Sequence, residues 1–226
     1  METQDSLFLT VNEGYNHWAE FYDQDDIPLH VLEEGIVDET LGKIRDLKIA
    51  DLACGTGRQS IRLSKNGARV VGVDQSEGML KQAKEKNLDG KVEFIHADLE
   101  SRFPFPDAEF DRVVSFLALE HFTSLEHFFR ESKRICKPNG SLFYTAMHPA
   151  MMLKGVQARY TEDSGRKVYP KSFPYQISNY VNAAIAVGLK LAHLTEHTPE
   201  EIHAEKSERA LKYQGWPLLL TLTFLP

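Results

Sequence analysis

Ile49-Ala50-Asp51-Leu52-Ala53-Cys54-Gly55-Thr56-Gly57-Arg58-Gln59-Ser60 is the stretch whose reading decides the fold. An apolar run reaching back through Leu47 ends in two glycines one residue apart, and a helix-like pattern begins at Ser60-Ile61-Arg62-Leu63. The order is strand, tight turn, helix. Glycine takes positive φ and has no Cβ, so a ligand can lie against the backbone at the N-terminal end of the helix that follows. The dinucleotide fingerprint G-x-G-x-x-G is incomplete here, because Ser60 stands where its third glycine belongs.

The next strand narrows the ligand. Ala68-Arg69-Val70-Val71-Gly72-Val73 is rich in β-formers and ends at Asp74. An acidic residue at the tip of the second strand, about 20 residues past the glycine turn, suits a ribose diol held by charge-assisted hydrogen bonds. That points to a nucleoside-containing cofactor. Gln75 follows at the same tip, and Ser76 is placed to cap a helix carrying Met79 one turn in, where it can lie against an adenine or serve as core.

The form Asp51-Leu52-Ala53-Cys54-Gly55-Thr56-Gly57 resembles the first motif of the class I S-adenosylmethionine-dependent methyltransferases, of the type 11-like small-molecule subgroup. Other segments between about residues 15 and 148 carry the same resemblance: Tyr15-Asn16-His17-Trp18-Ala19-Glu20-Phe21-Tyr22, Phe103-Pro104-Phe105-Pro106-Asp107-Ala108-Glu109-Phe110-Asp111, and Arg134-Ile135-Cys136-Lys137-Pro138-Asn139-Gly140-Ser141-Leu142. The resemblance implies a doubly wound α/β fold with a seven-stranded Rossmann-like sheet, mostly parallel with one antiparallel strand near the C-terminal edge. It implies S-adenosylmethionine as cofactor. Asp51, Ala53 and the backbone at Gly55 and Gly57 would face its methionine side, Asp74 and Gln75 the ribose, and Ala97-Asp98-Leu99 the adenine. Tyr15 would close over it, and Phe116 would border its reactive end.

Two histidines are candidates for chemistry. His121 follows the fourth strand in Glu120-His121, with an unperturbed pKa in the useful range. His148 precedes Pro149 at the tip of the fifth strand, where its backbone is held near the expected pocket. Trp18, Tyr22, Tyr160 and Tyr175, together with His148, are the expected contacts to a methyl acceptor. Each aromatic also has an ordinary reading as core, since aromatic stripes at helical spacing commonly pack inward.

Size and composition bound the rest. The 226 residues fit one methyltransferase domain, with an N-terminal helical cap at about 1–45 and a substrate-recognition insertion at about 149–175, read as the longest irregular region. A net charge of -7 does not suit holding nucleic acid by its phosphates. Only Cys54 and Cys136 occur, neither in a metal-binding spacing, so no metal site is expected and both fit reduced thiols of a cytoplasmic protein. No apolar stretch approaches 18 residues, and Met1-Glu2-Thr3-Gln4-Asp5 lacks signal-peptide character. The expected partner is a small molecule, the expected state a monomer or homodimer. Two other readings stay open: a non-catalytic binder of the cofactor, and an NAD-dependent oxidoreductase, which the acidic second-strand tip would suit but Ser60 does not. Lys137-Pro138-Asn139-Gly140 reads as a stop and turn, and Pro199 as the first residue of a short helix.

Overall fold

The computed structural model describes residues 6–226, apart from the side chains of Ile202 and Ala204. The polar stretch at residues 1–5 lies outside them. The chain opens with β1 (Ser6–Leu9), α1 (Val11–Trp18) and α2 (Pro28–Leu41). Then follow β2 (Lys48–Leu52), α3 (Arg58–Lys65), β3 (Arg69–Asp74), α4 (Glu77–Lys86), β4 (Glu93–His96), β5 (Phe110–Phe116), α5 (Leu125–Ile135) and β6 (Cys136–Met147). After them come α6 (Pro149–Leu153), β7 (Tyr160–Thr161), β8 (Lys167–Pro170), α7 (Ile177–Ala186), β9 (Lys190–His197), α8 (Glu201–Ala204) and β10 (Leu219–Leu225).

Seven strands form one sheet in the order β4-β3-β2-β5-β6-β10-β9. All neighbours from β4 to β6 are parallel, whereas β10 runs antiparallel to both β6 and β9. One strand is thus reversed, beside the edge, as expected. Side chains alternate across the sheet: Ile49 packs with Val37, Leu41 and Leu63, while Ala50 and Leu52 pack with Phe128, Phe129 and Tyr180. Helices cover both faces, which is why the central strands read as near-continuous apolar runs. From β2 the chain moves outward through β3 and β4, and from β5 it moves the other way through β6. Ligands of such sheets bind where that order reverses, outside the carboxyl ends of the strands.

Four local expectations are corrected. Residues 149–174 are not irregular: they hold α6 and a hairpin of β7 and β8, and β8 pairs in parallel with β1, Ser6 opposite Lys167 and Leu9 opposite Pro170. The N-terminal region is therefore not purely helical. A four-residue strand whose partner lies at the far end of the chain leaves no local pattern to read. Helix α1 rests directly on this small sheet, because a Cβ on Gly14 would come within 2.8 Å of Pro170. Residues 137–140 do not end in a turn but bulge within β6: Cys136 lies opposite Phe110, and Ser141 opposite Arg112. The Lys137 ammonium donates to Asp111 Oδ1 at 2.7 Å, which holds the bulge against β5. Finally, Pro199 precedes α8 rather than starting it, because Glu200 serves as the N-cap and its N–H donates to His203 Nδ1 at 2.9 Å.

Candidate active site

The turn after β2 needs left-handed backbone at Ala53, Gly55 and Gly57, with φ of 57°, 54° and 73°. At Ala53 this costs about 1–2 kcal/mol, as for any residue with a Cβ. Gly57 caps α3, and a Cβ there would meet the Phe94 ring at 2.7 Å and Ala83 at 3.0 Å. Its role is close packing that frees the turn to project over the strand tips.

Asp74 locks that turn to β3. Its Oδ2 accepts the Gly55 N–H at 2.7 Å, and its Oδ1 accepts the Ser76 N–H at 2.8 Å. Burial pushes the Asp74 carboxyl above its ordinary pKa, while the Ser76 and Gly55 amides oppose the shift. Ser76 caps α4, its Oγ accepting the Met79 N–H at 3.1 Å.

Asp51 shares the sheet face of Ile49 and so points toward α3. There Ser60, the residue in place of the third glycine, donates to Asp51 Oδ2 at 2.5 Å. The departure from the dinucleotide fingerprint thus supplies a hydrogen bond. Burial raises the Asp51 carboxyl to about 7, with the Ser60 bond opposing. Its other oxygen, Oδ1, is buried without a partner among the described residues. Behind it, the fully buried Glu33 accepts from Gln59 at 3.0 Å and is bonded to Arg58 and Thr145, fastening α2 to α3 and β6.

These groups border a cavity of about 310 Å³ over β2, β3 and β5. Of the expected cofactor residues, Asp51, Ala53 and Gly55 line it from the turn, Asp74, Gln75 and Met79 from the end of β3 and the start of α4, and Asp98, Leu99 and Phe116 from beyond β4 and β5. Tyr15, Tyr22 and His121 close its opposite side. Gly57 and Ala97 do not line it. Ala97 instead donates its N–H to Asp74 O at 3.1 Å, aligning the β4 tip. Sequence reading missed Thr10 and Asn12, which begin α1, Arg58 and Gln59 at the start of α3, and Lys171 and Phe173 beyond β8. The first and last pairs carry no motif, because only the β1–β8 pairing brings them to the cavity.

His121 is 7 % exposed and its tautomer follows from its partners. The Lys171 carbonyl, 2.7 Å from Nδ1, can only accept, so Nδ1 carries the proton and Nε2 accepts from the Tyr15 hydroxyl at 2.7 Å. His121 therefore ties α1 to the segment after β8 across the cavity mouth. Tyr15 stacks on Trp18 with centroids 5.8 Å apart, and burial raises its phenol well above the ordinary range.

Three expected acceptor contacts lie elsewhere, and Trp18 borders a second, smaller cavity instead. Tyr160 is buried against Trp18 and Phe21, with its hydroxyl 3.0 Å from His17 Nδ1. The Tyr175 hydroxyl donates to the carbonyls of Phe122 and Thr123, at 2.9 and 3.1 Å. His148, the favoured catalytic residue, lines neither cavity. Its Nδ1 accepts the Ala150 N–H at 3.0 Å as the cap of α6, and its Nε2–H donates to Glu196 at 2.7 Å. The strand tip does hold its backbone, but toward β9 and β10, where the His148 N–H donates to Leu218 O at 2.8 Å. Losing a cap and a buried hydrogen bond costs about 1–2 kcal/mol. His148→Ala is accordingly expected to lower the melting temperature and leave S-adenosylhomocysteine affinity unchanged. Reduced affinity at an unchanged melting temperature would return the imidazole to the site.

Known proteins share this arrangement. A family described as a methyltransferase domain matches residues 50–144, the span from β2 through most of β6. An uncharacterized methyltransferase of Emericella nidulans is 29% identical, covering 91% of this chain and 87% of its own. A demethylmenaquinone methyltransferase of Clavibacter sepedonicus is 40% identical over 96 residues, which cover 42% of this chain and 39% of that protein. The crystal structure of an S-adenosylmethionine dependent methyltransferase from Mesorhizobium loti shares the fold with a TM-score of 0.70 at 23% identity, covering 84% of this chain and 95% of the other. With the Asp51–Gly57 turn, the Asp74 tip and the reversed penultimate strand all in place, residues 50–144 match a methyltransferase domain and the chain has the fold of the S-adenosylmethionine-dependent methyltransferases.

Proposed function

We propose that this enzyme methylates a small molecule, using the cavity over β2, β3 and β5 for the cofactor. The observation that carries the reading is the roof: Tyr15 from α1 and Lys171, joined through His121, line the cavity as one bonded unit. A roof of this kind leaves space for a compact acceptor rather than an extended polymer.

The residues fit the cofactor on their own chemistry. Asp51 Oδ1 is a buried acceptor without a partner among the described residues, and Asp51 lines the cavity, which suits a cationic amino group. Asp74 is suited to the ribose diol, the exposed Asp98 to the adenine amine, and Met79, Leu99 and Phe116 to apolar walls. Bound S-adenosylmethionine supplies a methyl group on a sulfonium, already a strong electrophile. The chain's task is then to hold the acceptor in line and keep water out. Tyr15 and Tyr22 exclude water from the mouth, and His121 holds Tyr15 in position. The menaquinone-type relative agrees with a small acceptor, although this chain covers 39% of it. No helix among the described residues is long and apolar enough to cross a membrane, and the reading includes a cytoplasmic enzyme.

The test uses S-adenosylmethionine labelled in its methyl group, incubated with the purified protein and a cell extract split by ultrafiltration. Label is expected in the low-mass fraction. Label confined to the protein or nucleic-acid fraction would refute a small acceptor, and no transfer to any fraction would favour a non-catalytic binder.

A further inference from the structure

Beside the large cavity lies a second, of about 80 Å³, and the two share Tyr15, Tyr22 and Leu117 as a common wall. A single water needs about 10–15 Å³ of such space, so this one admits roughly five to eight heavy atoms. Five separate segments, together with Met147 at the end of β6, converge on it: the aromatic face of α1, residues 27–29 at the start of α2, the turn after β5, residues 156–159 of the insertion, and residues 209–218 before β10.

The polar groups in this cavity are few and distinct. Glu120 is 4 % exposed, and its Oε2 is fully buried with no hydrogen-bond partner among the described residues. A buried carboxylate oxygen left unpaired is costly and marks a place where a donor is missing. Burial moves the Glu120 carboxyl up from its ordinary pKa, with His121 opposing. Two half-buried arginines, Arg159 and Arg209, also line the cavity, and neither is in an ion pair among the described residues. The Arg209 side chain is braced by one bond to the Asp26 carbonyl at 2.7 Å. Trp18, Ile27, Leu29, Met147, Val156 and Leu218 are among its apolar walls. In the shared wall, Leu117 holds a φ of 56°, a costly conformation for a large side chain, fixed by bonds from its N–H to Thr145 O and Oγ1, both at 3.0 Å.

We infer that this second cavity is the methyl-acceptor site, and that it takes a small, partly apolar organic acid whose anionic group meets Arg159 and Arg209 and whose hydroxyl or amine donates to Glu120. The inference rests on the methyltransferase reading and deepens it. Guanidinium groups select planar anions such as carboxylates. A carboxylate acceptor alone would leave Glu120 unsatisfied, and a hydroxyl or amine alone would leave the two arginines without a counter-charge. The shared wall places such an acceptor next to the cofactor cavity at Tyr15, Tyr22 and Leu117.

The test is calorimetric, on the full chain saturated with S-adenosylhomocysteine. The probes are three hydroxy acids of a size the cavity admits, glycolate, lactate and 3-hydroxybutyrate, each paired with its neutral amide. At least one acid is expected to bind, and its amide to bind about tenfold more weakly, the usual scale for losing a charge-assisted pair. Arg159→Gln should erase that preference for acid over amide. Glu120→Gln should weaken the acid and the amide by a similar factor, and both variants should bind S-adenosylhomocysteine like the wild type. Equal affinity for acid and amide, no binding of any acid, or a cofactor defect in Glu120→Gln would overturn the assignment. Failure of the wild type to bind S-adenosylhomocysteine would sink the underlying methyltransferase reading instead.

Discussion

Glu33→Ala is expected to lower the unfolding free energy by about 3 kcal/mol, the low end of the cost of breaking a buried ion pair. Glu33 is fully buried and its two oxygens serve Arg58, Gln59 and Thr145, residues of α3 and β6. Removal leaves one guanidinium and two buried polar groups without their acceptor. The low end applies because the Arg58 side chain is 27% exposed and can turn toward water. Against a typical total stability of about 5–15 kcal/mol, a loss of this size is readily measured by urea denaturation. Arg58 and Gln59 also line the cofactor cavity, so affinity for S-adenosylhomocysteine should fall with stability. Glu33→Gln, which keeps one acceptor oxygen, should recover part of both. A stability loss below about 1 kcal/mol in the alanine variant would mean that the three donors find other partners, as at an exposed pair.

Asp74→Ala should strike the cofactor site more directly. Each bond from a backbone amide to the buried carboxylate is worth about 1.5–3 kcal/mol, and both the Gly55 and Ser76 amides lose their acceptor. The glycine turn is then no longer held to β3. Together with the loss of the group assigned to the ribose, cofactor affinity is expected to drop by about 1–3 kcal/mol, or roughly 5- to 150-fold. Asp74→Asn keeps one acceptor oxygen and separates the two effects: it should restore most of the stability and little of the affinity. Unchanged affinity in Asp74→Ala would remove this residue from the site.

The turn and strand tips proposed for the cofactor were legible in the sequence because they are built from local signals. Gly55 and Gly57 follow an apolar run, Asp74 ends another, and Ser76 caps the next helix, so each residue's place depends only on its immediate neighbours. The side proposed for the acceptor was legible only in part: Trp18 and Tyr22 do line the smaller cavity. His148, Tyr160 and Tyr175 sit in the right stretch of chain, yet their hydrogen bonds turn them toward Glu196, His17 and the Phe122 carbonyl. Among the residues that do reach the cavities from that stretch, Lys171 and Phe173 follow directly on β8, whose partner β1 stands at the start of the chain. Glu120 could be placed near the reactive end from its position after β5, but its unpaired oxygen appears only once its surroundings are known. Ser60 is the instructive intermediate: it counted against a dinucleotide from sequence alone, and its bond to Asp51 supplies the physical reason.

The most direct measurement is a calorimetric titration of the purified protein with S-adenosylmethionine, S-adenosylhomocysteine and NAD in parallel. Micromolar binding of the first two with none of the third is predicted. NAD binding alone, or binding of none of the three, would contradict the assignment of the cavity at Asp51, Asp74 and Asp98.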